Sequence, residues 1–388
     1  MSVPNQATAA AAGRRARRRW LALGMFGPLA LLLALALLEG VARLLGHRPF
    51  APATVNLKVE PGGRLFQAHP KLGYTHVPGQ FTVTLADGYT FKMTHDTNTL
   101  RLTHSPGQKK PARPGLWVMG CSFVHGWSLN DEETMPWQLQ QLLPEYEVFN
   151  FGVNGYGTLH AWLQYQEFST RLPRPRVVVV DYAYFHDERN VLTRARRKAV
   201  APYNRLGPIH QPWARLDRHG CLIVEHTPMD YVPWPGQQTW ALVNWLEQGY
   251  CALESRWARG QAVSLAVLRQ FARQCSEEGV YLVVAGITRG KDTARVLQAC
   301  AELGIPTVDI SVSLSEPGSR NLPHDDHPSA RSQAEYARKL ADFLRQRAPL
   351  SGPGNEIKAS WLPNSIALDN AEAVAAGDSD SALKRAPD

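Results

Sequence analysis

Four short segments of the sequence combine nucleophilic, basic and glycine residues in a pattern that suits acyl transfer. Each segment follows an apolar run of the kind that predicts a β-strand. They read GCSF at 120–123, GVNGYG at 152–157, HDERN at 186–190 and PHDDHP at 323–328. Because ligands of an open parallel sheet bind outside the carboxyl ends of its strands, we expect these four turns to form one site.

The residue types within these turns supply the groups that a serine acyl-transfer mechanism needs. Ser122 is the predicted nucleophile, and His327 is the predicted base that removes its proton. Asp325 is the predicted partner that fixes the tautomer of the imidazole, with Asp326 as the alternative. The backbone N–H groups of Ser122 and Gly155 are predicted to bind the developing oxyanion.

Each turn, taken alone, has a non-catalytic interpretation. A GxS tripeptide after a strand is usually only a turn, and glycines there usually only tighten a loop. An aspartate near a histidine before a helix commonly caps that helix. Asn154 is predicted to bind an acyl or sugar oxygen of the substrate, with a turn role as the open alternative. Catalysis is favoured because all four segments follow successive strands in order.

The chain from Leu116 onward alternates apolar strands with helices. This alternation predicts an α/β catalytic domain at 115–348, with a parallel sheet covered by helices on both faces. The predicted strands lie at 116–119, 148–153, 177–180, 281–287 and 306–310. The predicted helices lie at 136–143, 158–171, 261–278, 292–303 and 330–347.

The N-terminal region has the features of a membrane anchor. Residues 20–38 form an uncharged apolar run about as long as a bilayer core requires. Five arginines directly precede it, and such clusters stay in the cytoplasm. We therefore expect a cytoplasmic basic segment at 1–19, one helix in a bacterial inner membrane, and a periplasmic catalytic domain. The alternative is a cleaved signal peptide and a secreted protein, although LLEGVARLLGHR after the run is a poor cleavage site.

Three other regions differ in composition from the strand and helix pattern of the predicted catalytic domain. Residues 49–114 are rich in turns and short strands, with a hairpin predicted around Asp87-Gly88. An insertion at 190–257 is rich in tryptophan and proline. The tail at 349–388 lacks periodicity and is predicted to be disordered.

Composition argues against several other classes of protein. Most of the formal net charge of +8 comes from the arginines before residue 49, so we expect no nucleic-acid partner. GVNGYG lacks the GxGxxG spacing of dinucleotide-binding proteins. The five cysteines show no CxxC pair, and neither a metal nor an organic cofactor is predicted. We expect buried free thiols, with a Cys275–Cys300 disulfide as the alternative in an oxidising compartment.

Four stretches of the sequence match a known pattern. They are LGYTHVPG (72–79), GCSFVHGWSLNDEETMPWQLQQLLP (120–144), NFGVNGYGT (150–158) and DDHPSA (325–330). With these stretches the chain resembles the SGNH/GDSL hydrolase superfamily, in a membrane-anchored bacterial subgroup. The resemblance implies a flavodoxin-like three-layer fold, Ser122 as nucleophile, Gly155 as an oxyanion donor, and His327 with an aspartate as the base pair.

The chain departs from the superfamily pattern at three positions. The usual Gly-Asp-Ser reads Gly-Cys-Ser, with Cys121 in place of the aspartate. The superfamily's oxyanion asparagine falls on His186, which the resemblance therefore implies as a third oxyanion donor. The superfamily's aspartate often lies three residues before the histidine, where this chain has His324.

The expected function is that of a serine esterase acting on an acylated, specifically O-acetylated, envelope carbohydrate through an acyl-enzyme intermediate. An O-acyltransferase on exported polysaccharide, using the same site, is the first alternative. A non-catalytic SGNH-like envelope binding or assembly protein is the second, because of His186 and Cys121.

Overall fold

The computed structural model describes residues 6–52, 57–105, 107, 113–207 and 209–347. The predicted disordered tail at 349–388 lies outside the described residues, as do the first five residues of the predicted cytoplasmic segment. The strands are β1 Lys58–Glu60, β2 Phe66–His69, β3 Gly73–His76, β4 Gly79–Thr84, β5 Thr90–His95, β6 Gly115–Met119, β7 Glu147–Asn150, β8 Val177–Tyr182, β9 His210–Leu216, β10 Leu222–Pro228, β11 Tyr281–Gly286 and β12 Thr307–Asp309. The helices are α1 Gln6–Leu44, α2 Ser122–His125, α3 Met135–Leu142, α4 Thr158–Phe168, α5 His186–Arg189, α6 Arg194–Val200, α7 Ala241–Trp257, α8 Gly260–Glu277, α9 Lys291–Glu302 and α10 Ala330–Arg347.

A five-stranded parallel sheet forms the centre of the larger part of the chain. Its strand order is β12-β11-β8-β6-β7. Every residue of β8, the central strand, is buried, which explains why Val177 to Val180 form a continuous apolar run. The predicted α/β class is confirmed.

Helices cover both faces of this sheet. Alternate residues of each strand point to opposite faces. On one face Val178 and Val180 pack with side chains from α4, α8 and α9. On the other, Val177 and Val179 pack with side chains from α3 and α10. Burial of each such side chain contributes about 1.5–3 kcal/mol, and the arrangement confirms the predicted three layers.

The strand β7 ends earlier than predicted. The sequence pattern predicted a strand as far as Val153, but β7 ends at Asn150. The Asn150 side chain accepts a hydrogen bond from the Gly152 N–H (2.9 Å) and donates to the Val124 carbonyl (3.2 Å). Residues 151–153 therefore leave the strand and pack against α2.

Short antiparallel sheets precede the central sheet. β1, β4 and β5 form one, and β2 and β3 form another. The predicted hairpin is confirmed as β4–β5, in which Gly88 adopts φ +89° in the turn. This positive φ favours glycine there. Both β3 and β5 end in a histidine.

The insertion at 190–257 is not one structural unit. Its first part forms α6 and the β9–β10 hairpin within the larger compact unit. Residues 232–253, which include most of α7, belong instead to a smaller unit with α1 and the residues that follow it.

The smaller unit contains the apolar N-terminal helix. Within the described residues, Phe26–Leu44 of α1 is long and apolar enough to cross a membrane, a test that signal sequences also pass. This stretch extends beyond the predicted end at Leu38. The stretch also contains the charged residue Glu39. Its carboxylate accepts hydrogen bonds from the N–H groups of Ala241 (3.0 Å) and Leu242 (2.8 Å) at the start of α7, and these bonds stabilise the charge on an otherwise apolar helix.

Candidate active site

Ser122 lies at the first residue of α2, directly after β6. The chain turns sharply at Gly120, where a Cβ atom would lie 2.6 Å from Val124 Cγ2 and 3.0 Å from Asp181 Cβ. Glycine is therefore required for α2 to fold back against the end of β6. The turn presents the Ser122 hydroxyl at the carboxyl edge of the sheet, although the residue is only 5% exposed.

Three of the predicted side chains form a continuous hydrogen-bonded relay. Ser122 Oγ lies 2.9 Å from His327 Nε2. His327 Nδ1 lies 2.5 Å from Asp325 Oδ1, which also accepts the His327 backbone N–H at 2.8 Å. Because a carboxylate accepts, Nδ1 carries the proton and Nε2 presents its lone pair to the serine. This is the arrangement in which an imidazole can remove a hydroxyl proton.

Asp325 is held as a carboxylate by its surroundings. Burial raises its pKa, but hydrogen bonds and charge from His327 and a hydrogen bond from the Trp127 side chain outweigh that effect and lower the pKa below its ordinary value. Asn321 donates to the Ser128 carbonyl (3.0 Å), and Ser128 Oγ lies 3.5 Å from Asp325 Oδ1. The sequence analysis missed these three supporting residues.

The other acidic and histidine residues of the same turn point elsewhere. Asp326 pairs with Arg320 Nη1 at 2.8 Å. His324 Nδ1 lies 2.7 Å from Asp87, and its ring stacks on Tyr89 with centroids 4.2 Å apart. Asp325, two residues before His327, is thus the residue in contact with the imidazole.

The loop that contains Gly155 is fixed close to α2. A Cβ atom at Gly152 would lie 2.1 Å from the His125 backbone nitrogen, and Val153 N donates to the Gly120 carbonyl at 3.1 Å. Gly155 has φ +82°, and a Cβ atom there would lie 2.5 Å from the Tyr74 hydroxyl. The loop is therefore closely packed at both glycines, and at Gly152 it contacts the backbone of α2. The oxyanion roles of the Ser122 and Gly155 N–H groups remain predictions.

His186, the third predicted oxyanion donor, is fully buried, and its Nδ1 accepts the Ala183 N–H at 3.4 Å. Its Nε2 is buried with no partner in the described part of the chain. The hydrogen bond of His186 lies within its own turn, and its oxyanion role stays a prediction. Sequence position alone could not reveal this burial.

Arg189, in the same turn, has contacts that were not foreseen. Its Nη1 donates to the Tyr156 carbonyl at 2.9 Å, and its guanidinium lies 4.4 Å from the centre of the Phe185 ring. It also interacts with Cys121. Arg189 therefore connects the nucleophile turn with the glycine loop.

Cys121, which replaces the superfamily's aspartate, is a buried core residue. Burial raises the pKa of its thiol, although Arg189 acts in the opposite direction. A buried, protonated thiol is a poor nucleophile. Cys275 and Cys300 are also buried free thiols in the structure.

Arg101 is a second residue that sequence analysis missed. Its side chain is completely buried, and Nε pairs with Asp131 at 2.9 Å. Its Nη atoms donate to the carbonyls of His125 (2.9 Å), Gly126 (2.7 Å) and Leu129 (2.6 Å). His125 and Gly126 lie at the C-terminal end of α2, and Leu129 lies in the turn that follows, so Arg101 fixes the short helix that begins with Ser122.

The Asn154 side chain has a protein neighbour, which weakens its predicted substrate role. It interacts with His76, and its Oδ1 is buried. The Asn154 carbonyl accepts the Tyr74 hydroxyl at 2.6 Å. These contacts fit the alternative interpretation, in which Asn154 stabilises its own turn.

The fold and the relay define an α/β protein with serine, histidine and aspartate aligned at the carboxyl edge of a parallel sheet. No protein-family model matches the chain, and no curated protein matches it. Similar solved structures include a member of the lipolytic G-D-S-L family from Veillonella parvula, at 9% identity over 60% of this chain and 98% of that one, with a TM-score of 0.34. The SGNH-hydrolase family esterase AlinE4 is 12% identical over 62% of this chain and all of that one, with a TM-score of 0.33.

A third similar structure is an active-site mutant of a family two carbohydrate esterase from Clostridium thermocellum. It is 11% identical over 62% of this chain and 65% of that one, with a TM-score of 0.32. Two of these three structures carry the name of the superfamily that the sequence resembles.

Proposed function

We propose that the protein hydrolyses a carboxylic ester through a covalent acyl-serine. The observation that carries this proposal is the relay from Ser122 Oγ through His327 to Asp325, with distances of 2.9 and 2.5 Å. Ser122 Oγ forms a bond to the ester carbonyl carbon as its proton passes to His327 Nε2. The oxyanion then collapses, and the imidazolium gives that proton to the departing alkoxide. Water attacks the acyl-serine in the same way and releases the acid.

The substrate we propose is an O-acetylated carbohydrate of the cell envelope. The small exposed fraction of Ser122 and the Phe123 ring, 5.7 Å from that of His327, favour a small acyl group. The apolar stretch of α1 supports attachment to the inner membrane with the site in the periplasm, and secretion after cleavage is the alternative.

Transfer of the acyl group to a sugar hydroxyl is the second candidate. It uses the same acyl-serine, and a sugar hydroxyl takes the place of water as the group that attacks it. The two reactions differ in the acceptor. An acetyl donor offered with and without a polysaccharide acceptor distinguishes them, because transfer yields acetylated polysaccharide and hydrolysis yields acetate alone.

Kinetics of ester cleavage by the full chain in detergent test the proposal. With p-nitrophenyl acetate, Ser122→Ala, His327→Ala and Asp325→Asn should each lower kcat by about 10⁴-fold, as loss of a triad member does. The matched controls are His324→Ala and Asp326→Asn, which change the same turn without touching the relay. They should retain activity within about threefold.

Equal losses in relay variants and controls would contradict the assignment. A folded wild-type chain that cleaves no ester would favour the non-catalytic alternative.

A further inference from the structure

Three histidines that are distant in sequence meet in the interior of the larger unit. His76 ends β3, His95 ends β5 and His125 ends α2. They are 1%, 2% and 0% exposed, and one ring nitrogen of each lies within 4.8 Å of the others. His95 Nε2 and His125 Nε2 are only 3.0 Å apart. We call these residues the histidine cluster.

The hydrogen bonds of the cluster leave nitrogen lone pairs without protein partners. His95 Nδ1 lies 3.2 Å from the Val77 carbonyl, which can only accept, so Nδ1 carries the proton and Nε2 accepts a hydrogen bond from His125 Nε2 at 3.0 Å. A metal ion between these two nitrogens would replace this hydrogen bond, and the proton of His125 would then be on Nδ1. Metal-bound histidines are commonly oriented in this way by a backbone carbonyl. In the described part of the chain, Nδ1 of His125 is buried without a hydrogen bond, and the Asn154 side chain is the one polar side chain that interacts with a nitrogen of His76. Leaving such groups unsatisfied costs about 1–3 kcal/mol each.

We propose that the histidine cluster binds one first-row transition-metal ion, Zn²⁺ in the first instance. Three neutral imidazoles are a usual donor set for this ion. Zn–N bonds of about 2.0–2.1 Å in tetrahedral geometry place ligand nitrogens about 3.4 Å apart. The 3.0 Å separation of His95 Nε2 and His125 Nε2 is close to that value, and one ring nitrogen of His76 lies within 4.8 Å of a nitrogen of each. Water or the Asn154 side chain, which interacts with His76, would fill the fourth position.

Charged residues near the histidine cluster affect how tightly it would bind a metal ion. Arg101 is the cation that acts on all three imidazoles, and it opposes binding of a positive ion. Its charge is offset by Asp131 at 2.9 Å. Burial keeps the pKa of each cluster histidine below its ordinary value, so the imidazoles are in the neutral form that metals bind.

A metal ion here would join the β-rich segment to the nucleophile helix. His76 and His95 come from that segment, whereas His125 is the last residue of the one-turn helix that begins with Ser122. The ion would therefore fix the orientation of α2 from its C-terminal end. It would take no part in the acyl transfer, so metal binding and ester cleavage are tested independently.

The alternative is a stacked aromatic cluster without metal. The rings of His76 and His95 are 4.2 Å apart and nearly parallel, and those of His76 and His125 are 4.3 Å apart. Stacking alone does not require nitrogen lone pairs. His76→Phe therefore distinguishes the two, because phenylalanine can stack but cannot ligate.

The test is metal content and thermal unfolding of the full chain in detergent, with Zn²⁺ as the probe. The proposal predicts one Zn²⁺ per chain and a rise in Tm of about 5 °C or more at saturating metal. His76→Phe and His95→Gln should lose both effects. His160→Gln, which changes a buried histidine outside the cluster, should keep both. Co²⁺ bound to the wild-type chain should show the strong visible absorption of a four-coordinate site, which needs no variant to fold.

Three results would overturn the proposal. They are a folded wild-type chain that binds neither ion, Zn²⁺ binding that persists in His76→Phe, and binding that is lost equally in His160→Gln.

Discussion

At the scale of single residues, the candidate site depends on backbone positions as much as on the three relay side chains. Gly155 is the clearest case, because it needs both a positive φ and space beside the Tyr74 hydroxyl. The Tyr74 hydroxyl in turn donates to the Asn154 carbonyl. A side chain at 155 would therefore move the N–H that is predicted to bind the oxyanion.

Gly155→Ala should lower kcat for ester cleavage by about 10²-fold or more, since misplacing one oxyanion donor has that effect. The double variant Gly155→Ala/Tyr74→Phe should recover part of the loss by removing the hydroxyl. Gly88→Ala is the matched control, because Gly88 also has a positive φ but nothing lies within 4 Å of its Cβ position. Equal effects of Gly155→Ala and Gly88→Ala on kcat would disprove the role of the loop.

At the scale of elements, α2 is too short to hold its own position. It has four residues, and a helix of one turn leaves most of its carbonyls without partners. Arg101 fills this need from the N-terminal β-rich segment. That segment therefore helps to position the candidate site rather than acting only as a spacer.

Arg101→Met should lower the free energy of unfolding by about 3 kcal/mol, because it leaves Asp131 and several carbonyls without their partner. Arg215→Met removes a charge pair of similar distance with Glu225 on the exposed β9–β10 hairpin. Arg215→Met should lower the free energy of unfolding by at most about 1 kcal/mol. Denaturant unfolding of the full chain measures both changes. Similar decreases in the free energy of unfolding would show that Arg101 stabilises the fold no more than an exposed ion pair does.

The parallel sheet and the relay could be predicted from local sequence, whereas the residues that support them could not. The Val177–Val180 run and the turns after each strand predicted the sheet and the relay, because both are encoded within a few residues. Arg101, Arg189 and the histidine cluster depend on contacts between distant segments, so no spacing pattern reveals them. The burial of His186 could not be predicted from its position, because burial of a turn depends on the elements that pack against it.

At the scale of the whole molecule, buried histidines make the fold sensitive to acid. His160 is fully buried. Its Nε2 lies 3.2 Å from Gln211 Oε1, and its ring stacks on that of Tyr156. Burial, reinforced by the charge of Arg196, lowers its pKa to about 3. Below about pH 6.5 the unfolded chain takes up a proton that the folded chain does not, so stability falls. The loss is complete near pH 3, and above pH 6.5 His160 contributes nothing.

His160→Gln should therefore reduce the dependence of the unfolding free energy on pH by about 1.4 kcal/mol per pH unit between pH 6 and pH 4. Denaturant titrations of the full chain at several pH values give this slope. A slope identical to that of the wild-type chain would contradict the neutral state of His160.

The most direct test of the central claim is covalent labelling of the full chain with a fluorophosphonate, followed by peptide mapping. Such reagents react with a serine that a neighbouring base activates. The account predicts one labelled serine, Ser122, with labelling lost in Ser122→Ala and His327→Ala and retained in Ser315→Ala, which changes an exposed serine that is hydrogen-bonded to Ser313. Absence of labelling in a folded chain, or labelling at another serine, would contradict it.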